Sequence, residues 1–303
     1  MTKVTASKAY YIKLGMAGNW EAESLKEGAL RFGYRETSSA ALRGDWQAVW
    51  DYWCSVRGDR GAATRDRNQI RVFFEADENV IFITFANSLL HWCNPCGKVE
   101  ALADGNHSRK TKDGWHNTSL GGTSLTTDRL SGHLLKVRMF QGTICEVKAL
   151  DYLLRKLNDE LLPEVAAAEE AESALLNANT RLMQRLTWQD FELLVDLVFS
   201  ASGWRRISPV GKNQKTVDFE LVLPTTAERA FVQVKAQANN ASLADYKARF
   251  DDMPIYGRMF FVWHTGEVAD DGSSAAVTLI GPERLSRMVL DAGLSSWLRE
   301  KVS

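Results

Sequence analysis

Asp218 and the triplet Gln233-Val-Lys235 are the residues whose types and spacing suit chemistry on a phosphodiester. Val217, Phe219, Leu221 and Leu223 alternate with Asp218, Glu220 and Val222. In the following run, Phe231, Gln233 and Lys235 share one side, while Val232, Val234 and Ala236 share the other. The pattern predicts two β-strands joined by a polar turn. Side chains repeat every two residues along a strand, so Gln233 and Lys235 point the same way. An acid, an amide and a lysine gathered on a sheet suit a metal-dependent phosphodiester site. The same alternation also fits a solvated hairpin face.

The elements around the hairpin must position these groups. Upstream, Trp188, Phe191, Leu194, Val195, Val198 and Phe199 fall at helical spacing. Thr187 suits the N-cap, Asp190 the first turn and Gly203 the stop. Glu192 lies early on this helix and could face the hairpin. A short strand is expected at Trp204 to Ser208, a helix at Leu243 to Phe250 and an apolar strand at Met259 to Trp263. The C-terminal stretch supplies one more strand and two amphipathic helices.

The order of these elements resembles the PD-(D/E)xK nuclease superfamily, and within it the Mrr-type restriction endonucleases. Phe191-Glu192, Asp218 in TVDFEL and Gln233-Val-Lys235 in FVQVK carry the resemblance, which covers roughly the last 120 residues. An amide at Gln233, where the superfamily has a carboxylate, matches the Mrr-type subfamily. The resemblance implies a Mg²⁺ (or Mn²⁺) cofactor with Asp218 as central ligand, since this hard ion takes oxygen donors. Gln233 would offer its carbonyl oxygen or hold a water. Glu192 would restore the negative charge that Gln233 lacks. Lys235 would orient and help deprotonate the attacking water, or stabilise charge on the phosphate. Glu220 is a further candidate ligand. Arg205, Arg206, Lys212, Lys215 and Gln237 are expected to contact the nucleic-acid backbone.

In the first half, Tyr10 to Leu14 reads as a strand, Gly15 to Gly18 as a turn and Glu21 to Leu30 as a short helix. No GK[ST] follows the glycines, so they make no phosphate loop. Asp45 to Trp53 reads as a helix bearing Trp46, Trp50 and Trp53. Strands are expected at Gln69 to Glu75, Val80 to Phe85, Ser131 to Phe140 and Thr143 to Val147, and a helix at Lys148 to Leu161. Asn106 to Gly122 is polar, basic and glycine-rich, which predicts a long loop. Its Arg109, Lys110, Lys112 and Trp115 would suit phosphate contacts and base stacking, or simply a solvated loop.

This half also resembles the PUA-like group of small β-barrels that includes EVE-type readers of modified bases. YYIKLG, IFITFANSLLHWC, FQGTICEV and YLLRKLN carry that likeness. It implies a flipped base in an aromatic pocket, with Trp20, Trp46, Trp92 and Trp115 as the candidate rings. Aromatic core packing is the other reading of so many tryptophans.

The expected architecture is an α+β, PUA-like β-barrel domain at 1–160, a helical linker at 161–186 and an α/β restriction-endonuclease-like domain with a mixed central sheet at 187–303. Glu164 to Leu186 has no Gly or Pro and favours a continuous helix, read as a semi-rigid arm. A net charge of −1 gives no global basic field, so any DNA-binding surface is a local patch. No 18-residue apolar run or signal-peptide pattern occurs, and a soluble, cytoplasmic protein is expected, with no membrane partner. Cys93 and Cys96 have metal-ligand spacing but lack a second pair, so a reduced pair in a turn is preferred over zinc.

The expected function is a modification-dependent, type IV-like DNA endonuclease acting on double-stranded DNA that carries a modified base. A homodimer is expected because one site cuts one strand. Two alternatives remain open: a nuclease fold kept for binding, with cleavage lost at Gln233, and a defence nuclease that cuts unmodified DNA or RNA.

Overall fold

The structure is a computed structural model that describes residues 3–207, 218–269 and 275–303. The chain divides into two units, Met1–Leu161 and Leu162–Ser303.

Strands β1 (Lys8–Ile12), β2 (Ala29–Phe32), β3 (Val80–Ala86), β4 (Leu89–Pro95), β5 (Glu100–Ala101), β6 (His107–His116) and β7 (Ile144–Glu146) build the first unit's sheet. Its order is β2-β6-β4-β3-β1-β7, with β5 on β6. β1 and β3 run parallel, and the other pairs are antiparallel. Among the described residues β2 and β7 remain open ends, so the sheet does not close into the expected barrel. Helices α1 (Glu21–Glu27), α2 (Ser38–Leu42), α3 (Trp46–Arg57), α4 (Arg60–Glu75), α5 (Gly132–Leu135) and α6 (Leu150–Leu157) complete the unit. One cluster, with Phe32, Val49, Trp53, Ile70, Phe73 and Phe82, packs helices α3 and α4 on one side of the sheet. A second, with Ile81, Ile83, Leu90, Leu134 and Leu153, fills the other side.

Several expected elements of this unit differ. The helix expected over Glu21 to Leu30 ends at Glu27, where Gly28 takes a left-handed C-cap, and Ala29 and Leu30 belong to β2. Gln69 to Glu75 is the last part of α4, not a strand. The Asp59 carboxylate caps that helix by accepting from Ala62 N–H, and Ala63, Asp66, Ile70 and Phe73 bury one face at helical spacing. Asn106 to Gly122 is not a loop over its first part, because His107 to His116 is β6, paired with β2 and β4. Its polar residues alternate, with His107, Arg109 and Thr111 buried. Ser131 to Phe140 is helical: Ser131 caps α5 and a 3₁₀ turn follows at Lys136–Met139.

The second unit begins with α7 (Pro163–Met183), followed by α8 (Trp188–Ala201) and β8 (Arg205–Arg206). Then come β9 (Phe219–Leu223), β10 (Glu228–Gln237), α9 (Asn240–Asp251), β11 (Arg258–Thr265), β12 (Val277–Ile280), α10 (Pro282–Asp291) and α11 (Ser295–Val302). Among the described residues the sheet order is β12-β11-β10-β9-β8, antiparallel from β8 to β10 and parallel from β10 to β12. Phe219, Leu221, Val232, Val234 and Val262 bury one face with Phe191, Leu194, Val195 and Val198 of α8. Phe231, Phe261 and Trp263 bury the other with Leu243 of α9. The continuous helix expected before Leu186 is present as α7, but it is not a free arm. Its last turns bury Asn179 and Met183, Asn179 Nδ2 donates to Ser295 Oγ at 2.9 Å, and Ser286 Oγ donates to Leu176 O at 2.7 Å. No helix among the described residues is long and apolar enough to cross a membrane.

Candidate functional site

In the second unit, antiparallel register brings Asp218 to Gln233. Val232 faces Phe219 and Phe231 faces Glu220, which places Asp218 across from Gln233 one step beyond the ladder. Asp218 N–H donates to Val232 O at 3.3 Å and fixes the backbone there. Gln233 Nε2 donates to Asp218 Oδ2 at 2.5 Å, and the Val234 N–H donates to the same oxygen at 2.6 Å. The side-chain amide must turn its nitrogen to the carboxylate, since the reverse orientation would set two acceptors together. With Nε2 committed, only Gln233 Oε1 is left to serve a metal. Gln233 is 2% exposed.

Lys235 lies two residues along the same face of β10, with Nζ 5.0 Å from the Tyr246 ring centroid on α9. Glu192 reaches the site from α8. Burial holds the Asp218 carboxyl above the ordinary carboxylate range, against the opposing pull of Val234 N–H, Lys235, Gln233 and Arg206. Burial also raises Glu192, and the Asp218 charge adds to it, while Arg206 and Lys235 oppose. Two partly desolvated carboxylates and two cations therefore act on one another here, an arrangement typical of sites that bind a cation or move protons.

The donor set suits a hard divalent ion. Asp218 keeps Oδ1 clear of the two N–H donors, and Glu192 supplies a second carboxylate. Mg²⁺ is ordinarily held by one or two carboxylates, with water and phosphate completing its shell. Among the described residues no group of three or more His, Cys, Asp or Glu is placed to hold a metal. Cys93 is fully buried and Cys96 half-buried, and burial pushes the Cys93 thiol well up.

The remaining candidates fall into different places. Glu220 is engaged by the Tyr256 hydroxyl, which burial and that contact push up to about 12. Arg205 and Gln237 are exposed. Arg206 is half-buried, 4.9 Å from the Phe219 ring and 3.4 Å from Asp196 Oδ2, so it is held at the site's side and is not a free surface cation. Lys212 and Lys215 lie outside the described residues. In the first unit, Lys110 and Lys112 are exposed on β6. Arg109 is buried instead, donating to Gly97 O and Phe73 O at 3.2 and 3.3 Å, which removes it from any phosphate surface.

The four candidate rings separate too. Trp20 lines a pocket of about 480 Å³ together with Lys13, Tyr34, Glu36, Trp53 and Thr143. Trp46 lies elsewhere, donating to Glu75 at 2.8 Å with Arg71 over its face. Trp92 donates to Thr118 O at 2.9 Å and stacks near His116. Trp115 donates to Ala29 O at 3.1 Å. Trp46 ties α3 to α4, Trp92 and Trp115 lie on β4 and β6 of the sheet, and none of the three lines this pocket. Tyr34 and Trp53 take their place, edge to face at 5.1 Å. Tyr34 is anchored by its hydroxyl, which donates to Asp66 at 3.0 Å; burial, followed by Asp66, pushes it up to about 12. Trp53 sat in the tryptophan stripe of α3, whose spacing signals core packing, and Tyr34 stood at the end of a short apolar run. Tyr246 and Asp196 were likewise hidden among ordinary helical residues.

No family model matches the chain, and no curated protein matches it. Among solved structures it is similar to the MspJI restriction endonuclease in complex with a 27-mer oligonucleotide. That similarity has 14% identity, covers 80% of this chain and 69% of the other, and has a TM-score of 0.32.

Proposed function

We propose that the chain is a Mg²⁺-dependent endonuclease whose second unit hydrolyses a phosphodiester and whose first unit reads a modified base in double-stranded DNA. The observation that carries the nuclease reading is the clamp on Asp218. Two N–H donors fix one carboxylate oxygen and leave the other clear of them, while the Asp218 charge is felt by Glu192 and Lys235 acts on both carboxyls. Bound Mg²⁺ (or Mn²⁺) would polarise the phosphoryl oxygen and offset the charge that builds up on it. Asp218 and Glu192 would hold the ion, with Gln233 orienting Asp218 and presenting Oε1. Lys235 would orient the attacking water or steady charge on the phosphate. Arg205, Lys110 and Lys112, all exposed, would supply backbone contacts.

The Trp20 pocket supports the base-reading half. Trp20 and Tyr34, both half-buried, would offer stacking surfaces over a floor formed with the buried Trp53, while Lys13, Glu36, Gln141 and Thr143 bring polar groups that could meet a base edge. Two such chains would cut both strands, so the working form would be a homodimer.

Incubation with Mg²⁺ of plasmids that are unmodified, 5-methylcytosine-bearing or 5-hydroxymethylcytosine-bearing tests the combined reading. Cleavage confined to a modified form is the expected result. Equal cleavage of all three would reassign the protein to unmodified nucleic acid. A second reading, a nuclease fold that binds without cutting, is favoured by the absence, among the described residues, of a group of three or more metal-ligating side chains at the site. Modified-DNA binding with no cleavage in Mg²⁺ or Mn²⁺ would select it.

A further inference from the structure

The pocket in the first unit carries a feature that stacking a base does not use. Met16 is among the residues that line it and is 87% exposed. An apolar side chain so exposed contributes almost nothing to its own core. Its placement is nevertheless closely constrained. Met16 begins the 3₁₀ turn Met16–Gly18, and Gly15, Ala17 and Gly18 have φ of 84°, 52° and 77°. A Cβ on Gly15 would lie 1.9 Å from Asn19 Oδ1 and 2.9 Å from Trp20 Cδ2, so the turn folds directly against the Trp20 ring. Trp20 N–H donates back to Leu14 O at 3.0 Å. The apolar tip is thereby tied to the wall of the pocket it lines.

A base drawn out of a duplex leaves a gap in the stack, and opening that gap costs a few kcal/mol. Proteins that distort DNA offset this cost by inserting apolar side chains between base steps. Methionine is unbranched and polarisable, and it adapts to an irregular gap. We propose that Met16 is such a wedge, entering the stack at the place vacated by the base that the Trp20 pocket accepts. The substrate of the first unit is then a base within duplex DNA, not one already in a single strand. The proposal rests on the base-reading role given above to this pocket.

The full chain, without divalent metal, is titrated with oligonucleotides carrying 5-methylcytosine or 5-hydroxymethylcytosine and with their unmodified counterparts. Each is supplied as a matched duplex and as a single strand. Met16→Ala is expected to weaken binding of the preferred modified duplex about tenfold, a part of the few kcal/mol that unstacking costs, and to leave single-strand binding within about twofold, since a single strand has no stack to open. Trp20→Ala is expected to weaken both. Ile255→Ala, an exposed apolar residue of the second unit, is expected to change neither. Unchanged duplex binding by Met16→Ala, or equal losses on duplex and single strand, would overturn the wedge while leaving the pocket's role intact. A wild-type chain that prefers no modified strand in either form would overturn the base-reading role, and the wedge with it.

Discussion

Gln233 and Asp218 are joined through the side-chain amide, whose Nε2 donates to Asp218 Oδ2 at 2.5 Å. The amide thus serves the acid before it serves any metal. A hydrogen bond to a charged group is worth about 1.5–3 kcal/mol, enough to set the orientation of a partly buried carboxylate. Gln233→Leu removes this donor at similar size. It is expected to lower kcat/KM by about tenfold or more and to move the acid limb of the pH–rate profile upward. Gln233→Glu places a second anion against Asp218 and is expected to lower the Tm of the metal-free chain. Mn²⁺ should then restore more Tm in that variant than in the wild type, as a thermal melt with and without metal would show.

The raised carboxyls set a pH dependence. Glu192 and Asp218 are both above their ordinary range. A raised carboxyl favours the folded state at low pH, and that contribution is lost as pH rises through its folded-state value. Glu192→Gln is therefore expected to be more stable than the wild type at pH 7–8 without metal. The difference should narrow toward pH 4, as parallel melts across pH would record.

The Lys235 ammonium stands over the Tyr246 ring, so under the proposed function Tyr246 would position it. A partly desolvated cation–π contact is worth about 0.5–2 kcal/mol. Tyr246→Leu is expected to reduce kcat by about 2- to 30-fold with little change in KM. Tyr246→Phe, which keeps the ring, is expected to retain activity. Equal losses in both variants would point to the hydroxyl instead.

The basic strand β6 separates structural from surface charge. Arg109→Ala leaves the buried Phe73 carbonyl without this donor, loosens the part-buried bond to Gly97 O, and is expected to destabilise the first unit by about 1–3 kcal/mol. Lys110→Ala and Lys112→Ala are expected to leave Tm unchanged and each to reduce the salt dependence of DNA binding by about one unit of slope.

Strong periodicity made the second unit legible. The stripe of α8, the alternation of β9 and β10 and the QxK spacing were enough to place Asp218, Gln233 and Lys235 on adjoining strands. The direction of the Gln233 amide was not legible, because it depends on which atom of a neighbouring strand accepts from it. The first unit was harder for two physical reasons. The β-branched and aromatic residues of IRVFFE favour a strand locally, but the Asp59 cap and the apolar face from Ala63 to Phe73 make them the end of a helix. In β6 the inward positions are His107, Arg109 and Thr111, so burial there is polar and hydrophobic alternation gives no sign of it. The tryptophans could be counted but not sorted, since Trp20 differs from Trp92 and Trp115 only in which elements surround it.

Mg²⁺-dependent nicking of a supercoiled plasmid that carries 5-hydroxymethylcytosine or 5-methylcytosine tests the proposed nuclease site most directly. Wild type, Asp218→Ala, Lys235→Ala and the surface variant Ile255→Ala would be run together. Nicking by the wild type and Ile255→Ala, lost by at least about 10²-fold in Asp218→Ala and Lys235→Ala, is the predicted result. Nicking that persists in Asp218→Ala would contradict the assignment of this site.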